Sequence, residues 1–318
     1  MSRECVIDIT YKCNSNCRYC QWSRHLPSQR HFPPDELKCP KELIEDSDIT
    51  TIVISGGEPL LHPQLEKILG YYHSLPIENI ILITNGLLMT PEKANKIVRF
   101  GVSKIVFSLD TLDHRKYRYL RGLPYSSFRS VLNNLIRLAT DSSRDYKIAI
   151  NVVLTKMNTS LGDIRQLLDF AERWGIDEVK FQPVYDDGFL SINAPELKLD
   201  KSDVPRLIAI RRLIVENSYR VVTNTPEFWL NLANLLLGAK LNPRDCPAIK
   251  HFSLLKQQKL LFCYWNQRYY IDINSRVEGL FQKVLDSFKN SVSKCRVWEW
   301  CFCIQPLNHV WSYIKSNK

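Results

Sequence analysis

Six short apolar runs punctuate the first 185 residues of this 318-residue chain. Residues 4–10 (ECVIDIT), 51–54 (TIVI), 79–84 (NIILIT), 103–108 (SKIVFS), 146–154 (YKIAINVVL) and 177–183 (DEVKFQP) read as strands. Stretches of helical character separate them. Residues 63–73 carry Pro63 inside the first turn. Residues 91–100 follow Thr90 as N-cap and open with Pro91 at the first helical position. Residues 126–139 show Phe128, Val131, Leu132, Leu135 and Leu138 at helical spacing, and 161–174 stop at Trp174-Gly175.

Six βα-type units in this span predict an α/β fold with a parallel sheet and helices outside. Right-handed crossovers would curl it into a partial (βα)6, TIM-like barrel, with its chemistry at the C-terminal ends of the strands. Three domains are expected: a barrel over 1–185, a helical extension over 186–240, and a small C-terminal domain over 241–318. The extension holds helix candidates 201–217 and 226–239. The C-terminal part holds a strand-like pair around Tyr269–Ile273 and Val277–Leu280.

Composition narrows the setting. No apolar run approaches the ~20 residues of a membrane span, and the N-terminus has no secretory apolar region, so a cytoplasmic protein with no membrane partner is expected. Ten cysteines in that compartment are then metal ligands, catalytic thiols or packing residues rather than disulfides. Net charge is +10, and residues 246–318 hold eleven Lys/Arg against four Asp/Glu. Such a surplus suits an anionic substrate, nucleic acid or an acidic electron-transfer partner, or is simply a solvated basic surface.

The chemistry starts at Cys13, Cys17 and Cys20, spaced C-x3-C-x2-C directly after the first strand. Closed zinc sites and ordinary iron–sulfur clusters take four protein ligands, so a triad leaves one metal position open. A zinc site completed by Cys39, His25 or His31 is the structural alternative. After the second strand comes Ser55-Gly56-Gly57-Glu58-Pro59. Its paired glycines permit close approach of backbone to a ligand, and Glu58 is a candidate for binding an ammonium group.

Together these segments resemble the radical S-adenosylmethionine (radical SAM) superfamily over roughly residues 4–185. The resemblance implies that Cys13, Cys17 and Cys20 hold a 4Fe–4S cluster whose fourth iron is chelated by SAM. It implies that Tyr19 touches the adenine and that Gly56, Gly57, Glu58 and Pro59 receive the methionine ammonium group. It also implies SAM contacts at Asn85, in Thr84-Asn85-Gly86, at Ser108 and Asp110, and a ribose contact at Asn151. The implied activity is reductive cleavage of SAM to methionine and a 5′-deoxyadenosyl radical, which abstracts hydrogen from the substrate. The cofactor supplies the radical; the protein binds, orients and excludes water. A flavodoxin- or ferredoxin-type protein would donate the electron.

Cys246, Cys263, Cys295, Cys301 and Cys303 form a second set. Four of them would close an auxiliary 4Fe–4S cluster, which is similar to the SPASM or shorter twitch domains of radical SAM enzymes. The favoured ligands are Cys246, Cys263 and Cys295 with one of Cys301 or Cys303; zinc, or buried cysteines without metal, are the alternatives. Trp298 and Trp300 would shield the cluster. Cys5 reads as packing, and Cys39 as packing or a spare thiol. Arg115, Lys116, Arg118 and Arg121 follow Ser108-Leu109-Asp110 in a stretch that resembles a family loop ending Arg-Gly, and would hold an anionic substrate or line a solvated helix start.

The expected reaction is dehydrogenation or epimerisation of a sugar- or aminocyclitol-like small molecule, an oxidoreductase or epimerase activity using the auxiliary cluster. Maturation of a ribosomally made peptide comes next, then chemistry on a nucleotide or RNA; nucleic acid is left open and not favoured. The molybdopterin GTP-cyclising enzymes end in Gly-Gly, whereas this sequence ends Lys-Ser-Asn-Lys, which weighs against them at this stage.

Overall fold

All six apolar runs form strands. The computed structural model describes residues 3–20, 30–184 and 193–239 and, beyond them, 252–256, 259–261, 270–272, 274 and 280–292. Strands β1 (Arg3–Asp8), β2 (Ile49–Ser55), β3 (Asn79–Thr84), β4 (Val102–Ser108), β5 (Lys147–Leu154) and β6 (Glu178–Pro183) pair in parallel in chain order. The result is an α/β half-barrel. Helices α1 (Lys41–Asp46), α2 (Leu65–His73), α3 (Pro91–Val98), α4 (His114–Arg121), α5 (Tyr125–Ala139) and α6 (Leu161–Trp174) lie in the connections.

Strand alternation explains the two cores. Outward residues such as Ile52, Ile54, Leu82, Ile105, Phe107, Ile150 and Val179 meet Leu69, Ile97, Val131, Leu135, Ile164 and Leu168 from the helices in one large cluster. Inward residues Val53, Ile81, Val106 and Ala149 form a second, smaller one with Val6 and Ile83. Burial on both faces is why these strands read as continuous apolar runs. Above the inner band the side chains turn polar: Ser108 on β4 is in register with Asn151 on β5, and Asn151 with Lys180 on β6. The interior also encloses an ion pair, Lys104 Nζ to Glu178 Oε1 at 2.7 Å.

Caps fix the helix ends, two of them, Thr90 and Gly175, where the sequence predicts them. Thr90 accepts from the Lys93 N–H at the start of α3, and Ser160 from the Asp163 N–H at the start of α6. Gly175 closes α6 in the left-handed conformation, at φ 70°. Helix α4 is capped by Asp113, which accepts from the backbone of Arg115 and Lys116.

Beyond β6 the chain forms α7 (Val204–Glu216) and α8 (Pro226–Leu236). Between them the chain returns to cover the β6 edge. Val179 N–H donates to Val222 O at 2.9 Å. The Asn224 amide both accepts from Phe181 N–H (2.7 Å) and donates to Phe181 O (3.0 Å). The sheet edge is thereby satisfied by the returning backbone at Val222 and the Asn224 side chain. On the opposite side β7 (Phe252–Lys256) pairs in parallel with β1, and β8 (Lys259–Leu261) and β9 (Tyr270–Asp272) continue the sheet antiparallel. Helix α9 (Leu280–Val292) buries Phe281, whose ring lies 5.0 Å below the Arg3 guanidinium.

The strand-like pair expected near residue 270 is altered. Its first half is β9, but β9 pairs with the unexpected three-residue β8; Leu280 begins α9, and 277–279 lie outside the described residues. Among the described residues no helix is long and apolar enough to cross a membrane.

Asn224→Ala should destabilise the chain by about 2 kcal/mol, because it strands the buried N–H and C=O of Phe181. Urea unfolding checks this; a change below about 0.5 kcal/mol would mean that the edge is held by packing alone.

Candidate active site

The cysteine loop leaves the C-terminal end of β1 and is gripped by two neighbours. From β2, Gly57 N–H donates to Thr10 O and Glu58 N–H to Lys12 O, both at 2.7 Å. From α4, the carbonyls of Leu120 and Arg121 accept from Arg18 N–H (2.8 Å) and Asn16 N–H (3.1 Å). This fit requires glycine. A Cβ on Gly57 would stand 2.2 Å from Lys12 O, and one on Gly56, at φ 131°, 2.4 Å from Thr10 O. The paired glycines therefore admit the cysteine loop as well as bordering the cavity.

A cavity of about 320 Å³ opens at this end of the sheet. Cys13, Cys17, Cys20 and Tyr19 line it from the loop; Gly56, Gly57, Asn85, Ser108 and Asn151 line it from the strand ends. Ser15 Oγ and Asn151 Oδ1 also face buried positions with no hydrogen-bond partner among the described residues. Buried polar atoms rarely stay unpaired, so their presence in a cavity points to a bound ligand.

Three of the expected site residues sit behind the wall. Glu58 is fully buried; its carboxylate accepts from Thr84 Oγ1 (2.7 Å), Asn85 N–H (2.7 Å) and Leu60 N–H (3.1 Å). It ties the β2 and β3 ends together from beneath, next to buried Pro59. Burial pushes the Glu58 carboxyl up to about 7, against the three donors and Arg121, which pull it down. Asp110 is equally buried and takes Tyr19 OH at 2.6 Å, Arg121 Nε at 2.7 Å and Val153 N–H at 2.9 Å.

Arg121 is the residue that reading the chain misassigned. It is buried and lines the cavity; its Nη1 comes within 3.8 Å of Cys17 Sγ while Asp110 holds its other nitrogens. Lys116 instead pairs with Asp163 at 2.7 Å, and Arg115 and Arg118 are exposed outside the cavity. A shared anion site is therefore not formed, because the four basic residues point to different sides of the two turns of α4; for Arg115 and Arg118 the solvated helix start holds. Sequence carries no local signal for this pairing: Asp110 and Arg121 are eleven residues apart, and only the burial of Asp110 shows that it needs a cationic partner.

These residues fit an iron–sulfur cluster better than zinc. Among the described residues no three His, Cys, Asp or Glu side chains converge on a single ion. Cys39 and Cys5 are wholly buried in the outer core, and His31 bonds Thr10 Oγ1 at 2.9 Å and packs on His62. Zinc needs its ligands within bonding reach of one ion, whereas a cubane cluster offers each thiolate its own iron. Burial pushes the Cys13 thiol up to about 11 and also raises Cys17, with Arg121 opposing. Metal binding would have to deprotonate both, as it does for thiolate ligands generally. His25 and the five C-terminal cysteines, Cys246, Cys263, Cys295, Cys301 and Cys303, lie outside the described residues, as do Trp298 and Trp300.

Comparison with known proteins agrees with this geometry. Residues 7–171 match the family model described as the Radical SAM superfamily. A protein of Sulfurisphaera tokodaii named "Probable GTP 3′,8-cyclase" is 25% identical over 280 residues, 86% of this chain and 85% of its own length. One of the same name from Methanococcus vannielii is 28% identical over 221 residues, covering 68% of this chain and 67% of its own. Two solved folds are similar. Native anSMEcpe with bound AdoMet has a TM-score of 0.67 at 16% identity, over 95% of this chain and 88% of its own. Streptococcus suis SuiB bound to S-adenosylmethionine has 0.66 at 18%, over 95% and 72%.

The curated relatives overturn the expected substrate. Their names specify GTP, so the sugar or aminocyclitol dehydrogenase or epimerase reading is corrected, and peptide maturation is no better supported. The weight given to the last four residues against the GTP-cyclising enzymes was misplaced, since the similarity runs over 280 residues.

Gly57→Ala should cost about 1–3 kcal/mol, since backbone must move to admit the methyl group. Gly70→Ala in α2, whose nearest atom is a Phe100 ring carbon at 3.5 Å, should be neutral or stabilising by up to about 1 kcal/mol. Urea unfolding of the metal-free chain compares them. Glu58 gives a pH test. Its folded value of about 7 exceeds its ordinary 4.5, so the folded chain keeps a proton that the unfolded chain releases between those values. Stability should fall as pH rises through that window, by on the order of 3 kcal/mol. Glu58→Gln should flatten that slope; an unchanged slope would place the titration elsewhere.

Proposed function

Because the chain belongs to the radical SAM superfamily, we propose that it is a radical SAM enzyme acting on a purine nucleoside triphosphate, with GTP the first candidate. The family implies a 4Fe–4S cluster and SAM, which when bound supply one-electron reductive cleavage of the sulfonium. Cys13, Cys17 and Cys20 would hold the cluster. One observation carries the assignment: three thiols, the glycine pair and two buried polar atoms without partners converge on one cavity. GTP as substrate is supported by the names of the relatives that match over most of the chain.

The chain's own residues would then divide the work. Gly56 and Gly57 bring the backbone of the β2 end against the cysteine loop, so carbonyl and N–H groups border the ligand. Arg121 is the cation on the cavity wall and would meet the SAM carboxylate, assisted by Ser108. Asn85, whose side chain donates to Asn14 at 2.6 Å, steadies the loop between Cys13 and Cys17. Asn151 Oδ1 is an acceptor suited to a ribose hydroxyl, and Tyr19 an aromatic edge for adenine. Glu58, Pro59 and Asp110 support these groups from behind. The apolar inner band of Val6, Val53, Ile81, Val106 and Ala149 closes the floor to water.

The auxiliary 4Fe–4S cluster, on Cys246, Cys263 and Cys295 with Cys301 or Cys303, remains part of this proposal. So do the division at about 185 and 240, a flavodoxin- or ferredoxin-type donor, and a cytoplasmic setting whose reducing conditions suit such clusters.

Anaerobic reconstitution followed by dithionite, SAM and GTP is the direct test. We expect 5′-deoxyadenosine to form, with GTP consumed in step. Absence of 5′-deoxyadenosine would overturn the enzyme reading; its formation with GTP untouched would overturn the substrate. Replacing Cys13, Cys17 and Cys20 by Ala should remove about four iron per chain and all cleavage. If iron never exceeds about four in the unaltered chain, the auxiliary cluster is absent.

A further inference from the structure

Helix α4 divides its basic residues between two sides. Lys116 and Arg121 turn inward to Asp163 and Asp110. His114, Arg115 and Arg118 face outward, exposed, into a groove of about 770 Å³ that Gly122 and Tyr125 also line. Among the described residues no carboxylate lines this groove. Arg115 and Arg118 form no ion pair among the described residues. Unpaired guanidinium groups on a concave surface create a local positive field that steers anionic partners.

The groove backs onto the cysteine loop. Gly122 closes α4 in the left-handed conformation, at φ 65°, where a Cβ would stand 2.6 Å from Asn16 O. Asn16 lies between Cys13 and Cys17, and its N–H donates to Arg121 O at 3.1 Å. Arg121 in turn reaches Cys17 Sγ. A protein seated in the groove is thus one loop residue from the thiolates.

We infer that this groove is the docking surface for an acidic one-electron donor protein of the flavodoxin or ferredoxin class. The inference rests on the cluster reading above. The donor loses one electron, which passes inward across the Asn16–Gly122 contact and reduces the cluster; no atom is transferred. Electron transfer weakens steeply with distance, so a donor gains from a thin wall such as this one, a single loop residue deep. Arg115 and Arg118 would pair with carboxylates around the donor's cofactor. Tyr125, 54% exposed, supplies an aromatic anchor of the kind enriched at interfaces. A nucleic acid would need a longer basic track interleaved with stacking rings, and this patch is confined to about three turns of chain.

The test uses the reconstituted full chain and its R115E/R118E double variant, with a reduced flavodoxin and a reduced plant-type ferredoxin as probes. Calorimetry at two salt concentrations should show Kd raised about tenfold or more and its salt dependence weakened. Cluster reduction by the protein donor should slow, while reduction by dithionite, followed by electron paramagnetic resonance, stays unchanged. R115K/R118K should keep most of the affinity. Unchanged Kd for both donors, or no binding of either by the unaltered chain, overturns the proposal. So does selective loss of binding to a transfer-RNA probe, which would make the groove a nucleic-acid surface. Failure of the cluster itself would appear separately, as absent dithionite-driven 5′-deoxyadenosine in the unaltered chain.

Discussion

The Asp110 carboxylate sits where four parts of the site meet. One oxygen accepts from Arg121 Nη2 and from the Val153 N–H on β5; the other accepts from Tyr19 and pairs with Arg121 Nε. Its backbone carbonyl takes the Asn158 side chain at 2.9 Å. The ends of β4 and β5, the last turn of α4 and the cysteine loop are therefore indexed to one buried anion. Desolvating such a pair costs several kcal/mol per ion, which the mutual attraction only repays with good geometry. An apolar pair of similar size would stabilise the fold as well. What it could not do is carry a cation to within 3.8 Å of a cysteine sulfur while keeping that cation from moving. The expense is best understood as positional.

The same logic runs through the glycine pair. Lys12 O lies too close to Gly57 for any side chain, and the contact sets how deeply the cysteine loop enters the sheet end. Glu58 then fixes β2 to β3 from below, so the loop rests on a floor tied across adjacent strands. The cysteine loop has little regular structure of its own. Its shape comes from Gly57, Glu58, Leu120 and Arg121, all supplied by neighbouring elements.

The strands were legible because burial on both faces leaves few polar positions to disguise them, and the helix ends at Thr90 and Gly175 were legible because their chemistry is local. Helix α4 was not. Its residues His-Arg-Lys-Tyr-Arg-Tyr-Leu-Arg bury only Tyr117, Leu120 and Arg121, too few apolar positions to mark a face. The pairing of Asp110 with Arg121 spans a strand end and a whole helix, and nothing in local sequence distinguishes that arginine from Arg118. Strand β8, three residues long, carries no periodic signal at all. At the site, the residue types that metal chemistry demands were visible at fixed spacing, whereas second-layer partners became visible only in three dimensions.

That distinction also explains why the substrate was misread. The features that specify the cofactor lie at the ends of β1 to β4, where thiols and glycines have few ordinary structural explanations. Recognition of a substrate would fall to the β5 and β6 ends and to segments beyond them. There, apart from Asn151, which the SAM reading already uses, the inward residues are Lys180 and Gln182, polar types that any parallel barrel places near its mouth. Burial lowers the Lys180 amine to about 7, a sign of how little water reaches that row, yet neither its charge nor its position selects a nucleotide over a sugar. A net charge of +10 is equally indifferent, since a basic surplus suits any anionic ligand or partner alike. Similarity over most of the chain bears on the substrate because it takes in residues all around the cavity, which no single motif does.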